Sequence, residues 1–124
     1  MKFTMNHIHL RAKDAKSTAQ WYVDNFGADI VEEVSISGNL TVRTDIGGAR
    51  VNVSQATSLP FGTSDAHMGL EHFGLETDNL DGVMASLKAK GIKVLEPVRT
   101  LSTGMRISYV EAPDNVRLEL MQPS

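Results

Sequence analysis

Glu119 lies in the middle of an apolar strand pattern, where a carboxylate needs a partner. The stretch from Val116 to Gln122 alternates, so its leucines share one face while Glu119 lies on the other. A carboxylate at mid-strand is costly to bury unless it is paired, bound to a metal or hydrated. His7 and His72, each within an alternating stretch of its own, are candidate partners. Two imidazoles and one carboxylate form a thiolate-free metal site with positions left for water or substrate.

The elements that must position these residues are predicted in the order β-α-β-β-β, twice. In the first module, strands are predicted at 3–12, 30–35, 40–44 and 49–54, and a helix runs from an N-cap at Asp14 to Gly27. In the second, strands are predicted at 70–76, 93–98, 105–110 and 116–121, and a helix ends at Gly91. We therefore predict a single domain, 1–124, with module one at about 1–56, a linker at about 57–66 and module two at about 67–124.

The two modules match residue by residue, which indicates an internal duplication. Residues 7–10 (HIHL) match residues 72–75 (HFGL), and residues 50–53 (RVNV) match residues 117–120 (RLEL). A duplicated fold relates equivalent strands by a pseudo-twofold axis. His7 and His72 are then symmetry mates, as are Asn52 and Glu119, and all four side chains can converge on one point.

The ordered motifs resemble those of the vicinal oxygen chelate superfamily over nearly the whole chain. They are Asn6-His7-Ile8-His9-Leu10 with Asp14, Trp21-Tyr22 to Gly27, Glu71-His72-Phe73-Gly74-Leu75, and Tyr109 through Ala-Pro-Asp-Asn to Leu118-Glu119-Leu120. That superfamily includes glyoxalase I, bleomycin-resistance proteins, fosfomycin-resistance transferases and extradiol dioxygenases. The resemblance implies an α+β fold in which two tandem βαβββ modules form a cup-shaped mixed sheet with helices on the outside. It also implies a homodimer with the site at the subunit interface, as in many small members.

Carried over by position, the resemblance makes His7, His72 and Glu119 the ligands of one divalent metal ion per site. Imidazole and carboxylate ligands suit zinc, iron, manganese, nickel or cobalt, and ligand type does not choose among them. The fourth family position is Asn52, where glyoxalase I has a carboxylate that also takes part in proton transfer. Because an asparagine is a poor base and a weak ligand, glyoxalase I activity is not expected.

Further residues are candidates to act on a substrate. Tyr109 can donate to an oxyanion and His9 can donate to substrate, and we name these two as candidate catalytic residues. Asn52 is a substrate-binding candidate because of its place at the fourth family position. Arg43, Arg50 and Arg117 are candidates because guanidinium binds carboxylate or phosphate bidentately. Each also has a plainer interpretation, as a polar lining or surface residue. Glu119 could pair with Arg50 or Arg117 instead of a metal.

Three functions follow from these alternatives. The first is a metal-dependent lyase, isomerase or transferase, in which the ion acts as a Lewis acid on a small substrate chelated through adjacent oxygens. The second is a ferrous dioxygenase using the same two-histidine, one-glutamate triad. The third is a metal-free, ligand-sequestering protein of the bleomycin-resistance type, in which Glu119 is an arginine partner.

Composition narrows the function classes. The 124 residues contain 41% hydrophobic and 22% charged residues, with a formal net charge of −3 and no cysteine. Disulfides, thiolate metal sites and a cysteine nucleophile are therefore excluded. With no basic patch and no apolar run of membrane-spanning length, we expect a small-molecule substrate, no nucleic-acid or membrane partner, and a cytoplasmic location.

Overall fold

The chain consists of two units. The computed structural model describes residues 1–2 and 4–124, and it divides into residues 1–60 and residues 61–124. Phe3, where the first strand was predicted to begin, lies outside the described residues. Among the described residues, no helix is both long and apolar enough to cross a membrane.

The first unit has the predicted βαβββ order. Its elements are β1 (His7–Ala12), α1 (Ala15–Phe26), β2 (Asp29–Ile36), β3 (Asn39–Ile46) and β4 (Ala49–Gln55). The four strands form one mixed sheet in the order β1-β4-β3-β2. β1 pairs with β4 in parallel, and the remaining pairs are antiparallel. A parallel pair needs a crossover connection, and α1 lies in that connection.

Local signals set the ends of α1, as predicted. The Asp14 side chain accepts a hydrogen bond from the Ser17 amide at 3.1 Å, which satisfies one free donor of the first turn. That bond holds the pKa of Asp14 below its ordinary value. At the other end Gly27 has a φ of 65°, a left-handed conformation that glycine adopts without steric cost.

The core of the first unit lies between α1 and the apolar face of its sheet. Ala15 and Ala19 of α1 are fully buried, and their small side chains allow the helix to pack closely against the sheet. They cluster with Ala12, Val42 and Val53 from the strands. The opposite face of β1 and β4 is thereby left to polar side chains, as the alternation predicts.

The second unit repeats this plan. Its elements are β5 (Phe73–Glu76), α2 (Leu80–Ala89), β6 (Val94–Thr100), β7 (Arg106–Ala112) and β8 (Val116–Gln122). The strand order is β5-β8-β7-β6, with β5 parallel to β8. Leu80, Met84 and Leu87 of α2 are buried, as are Leu118 and Leu120 of β8. The final hairpin turns at Asn115, which adopts a φ of 62°.

β5 begins later than the sequence pattern predicts. The pattern places its start at Leu70, whereas the strand begins at Phe73. The Leu70 carbonyl contacts His67 Nε2 at 2.8 Å, and the pairing with β8 starts at Phe73 opposite Leu118. His72 therefore lies just before the strand and not within it.

Strand register supports the internal duplication. In the first unit Asn52 lies between His9 of β1 and Arg43 of β3. In the second unit Glu119 lies between Gly74 of β5 and Tyr109 of β7. Asn52 and Glu119 thus occupy equivalent places in the two sheets.

A glutamine at the end of the last strand of each unit holds the start of the helix. Gln55 Oε1 accepts from the Ala15 amide at 2.7 Å, and Gln122 Oε1 accepts from the Leu80 amide at 2.8 Å. Both amides belong to first helical residues, which have no partner within the helix. The same side chain therefore fixes the strand–helix connection twice.

Candidate functional site

Glu119 lies on β8 and is buried. Its Oε2 atom lies 2.7 Å from His72 Nε2, and the Tyr109 hydroxyl donates to the same oxygen at 3.0 Å. The Tyr109 and His72 rings meet edge to face, with centroids 5.1 Å apart. Three residues that the sequence marked for chemistry thus form one cluster, which we call the His72–Glu119 cluster.

Strand pairing explains how this cluster forms. Tyr109 is directly opposite Glu119 in the antiparallel β7–β8 pair. Gly74 is opposite Glu119 in the β5–β8 pair. A Cβ atom on Gly74 would lie 3.1 Å from the sulfur of Met121, which is tighter than ordinary contact. A glycine at this position therefore leaves room for the Met121 side chain next to Glu119.

Tyr109 is held in its protonated form. Burial, followed by the hydrogen bond to Glu119 and the neighbouring negative charges, raises the pKa of Tyr109 to about 12. At neutral pH the phenol is therefore a hydrogen-bond donor and not a base. This state agrees with the role predicted for it as a donor to an oxyanion.

Arg117 lies beside the His72–Glu119 cluster, but among the described residues it does not form an ion pair with Glu119. Its guanidinium forms an ion pair with Glu96, and its Nε lies 3.3 Å from Glu71. The Cζ atom lies 4.2 Å from the centre of the Tyr109 ring, within cation–π distance. The residue proposed to bind substrate is thus engaged by two carboxylates.

His7 and His9 belong to the first unit. His7 is exposed, and its Nδ1 lies 2.8 Å from the Asn6 side-chain oxygen. His9 Nε2 lies 2.8 Å from the Ser54 hydroxyl. Burial, and then the neighbouring His7 and Arg11, lower the pKa of His9. His9 is therefore favoured in its neutral form at pH 7.

Asn52 is buried, and its Oδ1 atom has no hydrogen-bond partner among the described residues. Arg43 lies opposite it on β3, but the Arg43 guanidinium donates to Glu32 at 2.5 Å. Arg50 is exposed and lies opposite His7 on β1. An unpaired buried acceptor is costly, so the amide oxygen of Asn52 is a candidate contact for a ligand.

A cavity of about 440 Å³ lies on the first unit. Polar residues of three strands line it, among them His9, Arg11, Thr41 and Ser54. This cavity is large enough for a small molecule. It brings the predicted residue His9 together with the guanidinium of Arg11.

The donor types fit a metal ion in part. His72 and Glu119 bring an imidazole nitrogen and a carboxylate oxygen together, both common ligands of zinc and other transition metals. Across residues 1–2 and 4–124, no three His, Asp or Glu side chains lie close enough to hold a metal. His72 and Glu119, two of the three predicted ligands, both belong to the second unit and are in contact there.

A family model for the Glyoxalase/Bleomycin resistance protein/Dioxygenase superfamily matches residues 4–120. The chain belongs to this superfamily. Among solved members of the same fold is a variant of FosX, the fosfomycin resistance protein of Listeria monocytogenes, crystallised with Mn(II) and 1S,2S-dihydroxypropylphosphonic acid. It is 22% identical, with a TM-score of 0.77 over 97% of this chain and 92% of that one.

Two relatives in this superfamily align by sequence. The uncharacterized protein YwkD of Bacillus subtilis (strain 168) is 27% identical over 96% of both chains. A putative lactoylglutathione lyase of Brassica oleracea var. gemmifera is 26% identical over 94% of this chain. The chain spans only 43% of that plant protein.

The sequence analysis did not identify Glu71, Glu96 or Ser64 as neighbours of the site. Glu71 lies 3.3 Å from His72 Nδ1, and the Ser64 carbonyl accepts from Arg117 at 3.3 Å. The available signal was the position of Glu71 immediately before His72. No periodicity pointed to Glu96 or Ser64, because both meet Arg117 through contacts between residues that are far apart in the sequence.

Proposed function

We propose that this protein is a divalent-metal-dependent enzyme in which His7, His72 and Glu119 hold the ion. The substrate is a small molecule chelated through adjacent oxygens, and the reaction is of the lyase, isomerase or transferase type. The observation that carries the proposal is the 2.7 Å contact between His72 Nε2 and the buried Glu119 carboxylate. A buried carboxylate beside an imidazole provides the two ligand types that the proposed site requires.

We further propose that the working unit is a homodimer in which a site combines His7 of one subunit with His72 and Glu119 of the other. Two observations support this arrangement. The described residues of one chain contain no three-ligand group. Large apolar side chains are also exposed, including Ile30, Val31 and Phe61, and exposed apolar surface often marks an interface.

When bound, the ion supplies Lewis acidity that stabilises negative charge developing on the substrate oxygens. The protein's own groups orient the substrate and hold its protons. Tyr109, protonated at neutral pH, donates a hydrogen bond to a developing oxyanion. His9 and Asn52 offer further polar contacts, while Arg43, Arg50 and Arg117 provide positive charge for an anionic substrate group.

Two considerations favour a redox-inert reaction that differs from that of glyoxalase I. Asn52 occupies the fourth ligand position and is neutral, so it cannot act as the carboxylate base of glyoxalase I. The FosX variant of the same fold was crystallised with Mn(II) and a dihydroxypropylphosphonic acid, in which two hydroxyls are adjacent. This precedent supports manganese-type ligation and a diol-like or phosphonate-like substrate.

Titration of the protein with Mn(II) tests the ligand set. Wild type is expected to bind Mn(II), and His72→Ala is expected to lose that binding while keeping its far-ultraviolet circular dichroism spectrum. His67→Ala is the matched control, because His67 is an exposed histidine of the same unit whose ring contacts the Asp65 and Leu70 carbonyls. Equal Mn(II) affinity in wild type and His72→Ala would contradict the proposal.

A mixed dimer tests the shared site. His7→Ala and His72→Ala subunits are each expected to form homodimers without an intact site. When the two variants are mixed and allowed to exchange subunits, each heterodimer regains one complete site and binds one Mn(II). Absence of binding in isolated heterodimers, with binding retained in the wild-type dimer, would show that each site belongs to a single chain.

A further inference from the structure

Two buried nitrogen atoms beside the His72–Glu119 cluster face the same carboxylate. His72 Nδ1 and Arg117 Nε have no hydrogen-bond partner among the described residues. The first lies 3.3 Å from Glu71 Oε2 and the second 3.3 Å from Glu71 Oε1. At this range the ion-pair contact is made, but neither donor points well enough to form a hydrogen bond. Both nitrogens thus lie against the two oxygens of one side chain, Glu71.

From this geometry we infer that Glu71 is the positioning residue of His72, an inference that rests on the proposed metal-binding function. Histidines that bind metal through one ring nitrogen usually donate the proton on the other to a carboxylate or carbonyl. Here Nε2 faces Glu119 and Nδ1 faces Glu71. Acceptance by Glu71 keeps the proton on Nδ1, so that the lone pair of Nε2 is directed at the metal position.

Arg117 fixes the carboxylate that performs this role. The Glu71 side chain is 54% exposed, whereas that of Arg117 is only 15% exposed. The Glu96 carboxylate and the Ser64 carbonyl hold the Arg117 guanidinium from other sides. Because the guanidinium is held in this way, it limits the positions that the Glu71 carboxylate can take.

The same guanidinium connects the two sides of the cluster. It lies 4.2 Å from the centre of the Tyr109 ring, and the Tyr109 hydroxyl donates to Glu119. One buried cation therefore contacts the residue that orients His72 and the residue that donates to Glu119. Glu71 has the more direct role, because its carboxylate contacts the imidazole itself.

The test measures two quantities for each variant. One is the Mn(II) dissociation constant, from electron paramagnetic resonance of free Mn(II), and the other is the urea midpoint of unfolding of the metal-free protein. Loss of a carboxylate that orients a metal-bound histidine typically weakens metal binding about 10- to 100-fold. We expect a rise of that size in Glu71→Ala. In Glu71→Gln we expect a smaller rise, because the amide oxygen still accepts from Nδ1. The urea midpoint of the metal-free variants should stay close to that of wild type.

Glu96→Ala is the matched control. It removes the other carboxylate that pairs with Arg117 but leaves Glu71, His72 and the Ser64 carbonyl contact of Arg117 in place, so its Mn(II) affinity should weaken clearly less than that of Glu71→Ala. Wild-type affinity in Glu71→Ala would overturn the inference, and so would equal weakening in Glu71→Ala and Glu96→Ala. Failure of the proposed function is distinguishable, because wild type itself would then fail to bind Mn(II).

Discussion

Replacement of Asn52 by leucine tests whether its amide is kept for a ligand at the expense of stability. Asn52 Oδ1 is buried without a hydrogen-bond partner among the described residues. Such a group costs about 1–3 kcal/mol relative to its hydrated state in the unfolded chain. Leucine has nearly the same shape and no polar atom. We therefore expect Asn52→Leu to raise the free energy of unfolding by about 1 kcal/mol.

The control is a similar change at a buried polar group that is satisfied. The Thr44 hydroxyl, on β3 of the same sheet, donates to the Val51 carbonyl at 2.8 Å. Thr44→Val removes that bond and should lower the free energy of unfolding by about 1 kcal/mol. The two polar-to-apolar replacements lie on neighbouring strands of one sheet and are expected to change the free energy of unfolding in opposite directions.

Urea unfolding of the metal-free protein, followed by circular dichroism, measures both changes. The midpoint should rise in Asn52→Leu and fall in Thr44→Val, with similar slopes in all three proteins. If Asn52→Leu falls as Thr44→Val does, the asparagine amide makes a stabilising bond in solution. The argument that Asn52 is reserved for a ligand would then be refuted.

Three further predictions follow from individual contacts. Gln122→Ala should lower the free energy of unfolding by about 1–3 kcal/mol by leaving the Leu80 amide without its acceptor, and hydrogen exchange at that amide should accelerate. The hydrogen bond from Arg106 lowers the pKa of Asp81, so its stabilising contribution is present above the ordinary aspartate pKa and is lost as the pH falls through the lowered value. The free energies of unfolding of wild type and Asp81→Asn, measured as the pH is lowered, should therefore converge at low pH. Asn52→Glu, which restores a carboxylate at the fourth ligand position, should retain Mn(II) more strongly during dialysis against chelator, and unchanged retention would contradict the placement of Asn52 beside the ion.

Features with local or repeated signals could be predicted from the sequence. Asp14 and Gly27 mark the ends of α1 because capping depends on the chain within one turn. The duplication placed Asn52 and Glu119 at equivalent positions, and strand register agrees with it. The pseudo-twofold relation of the two modules predicted that His72 and Glu119 converge, and these two side chains are in contact.

Other features depend on contacts that no pattern encodes. The start of β5 was predicted too early, because Leu70 fits the alternation while its carbonyl contacts the His67 ring. Substrate binding by Arg117 stays a prediction, whereas its pairing with Glu71 and Glu96 depends on which side chains the fold brings near the guanidinium. Glu96 reaches Arg117 from β6, a pairing that strand periodicity cannot specify.

Elemental analysis of protein purified without added metal or chelator tests the central claim most directly. Wild type should contain about one divalent ion per chain, and that ion should be missing from His72→Ala and Glu119→Ala. A redox-inert ion would agree with the proposed chemistry, whereas ferrous iron would favour the dioxygenase alternative. Wild-type protein with no bound metal, even after incubation with manganese, zinc or nickel, would contradict the account.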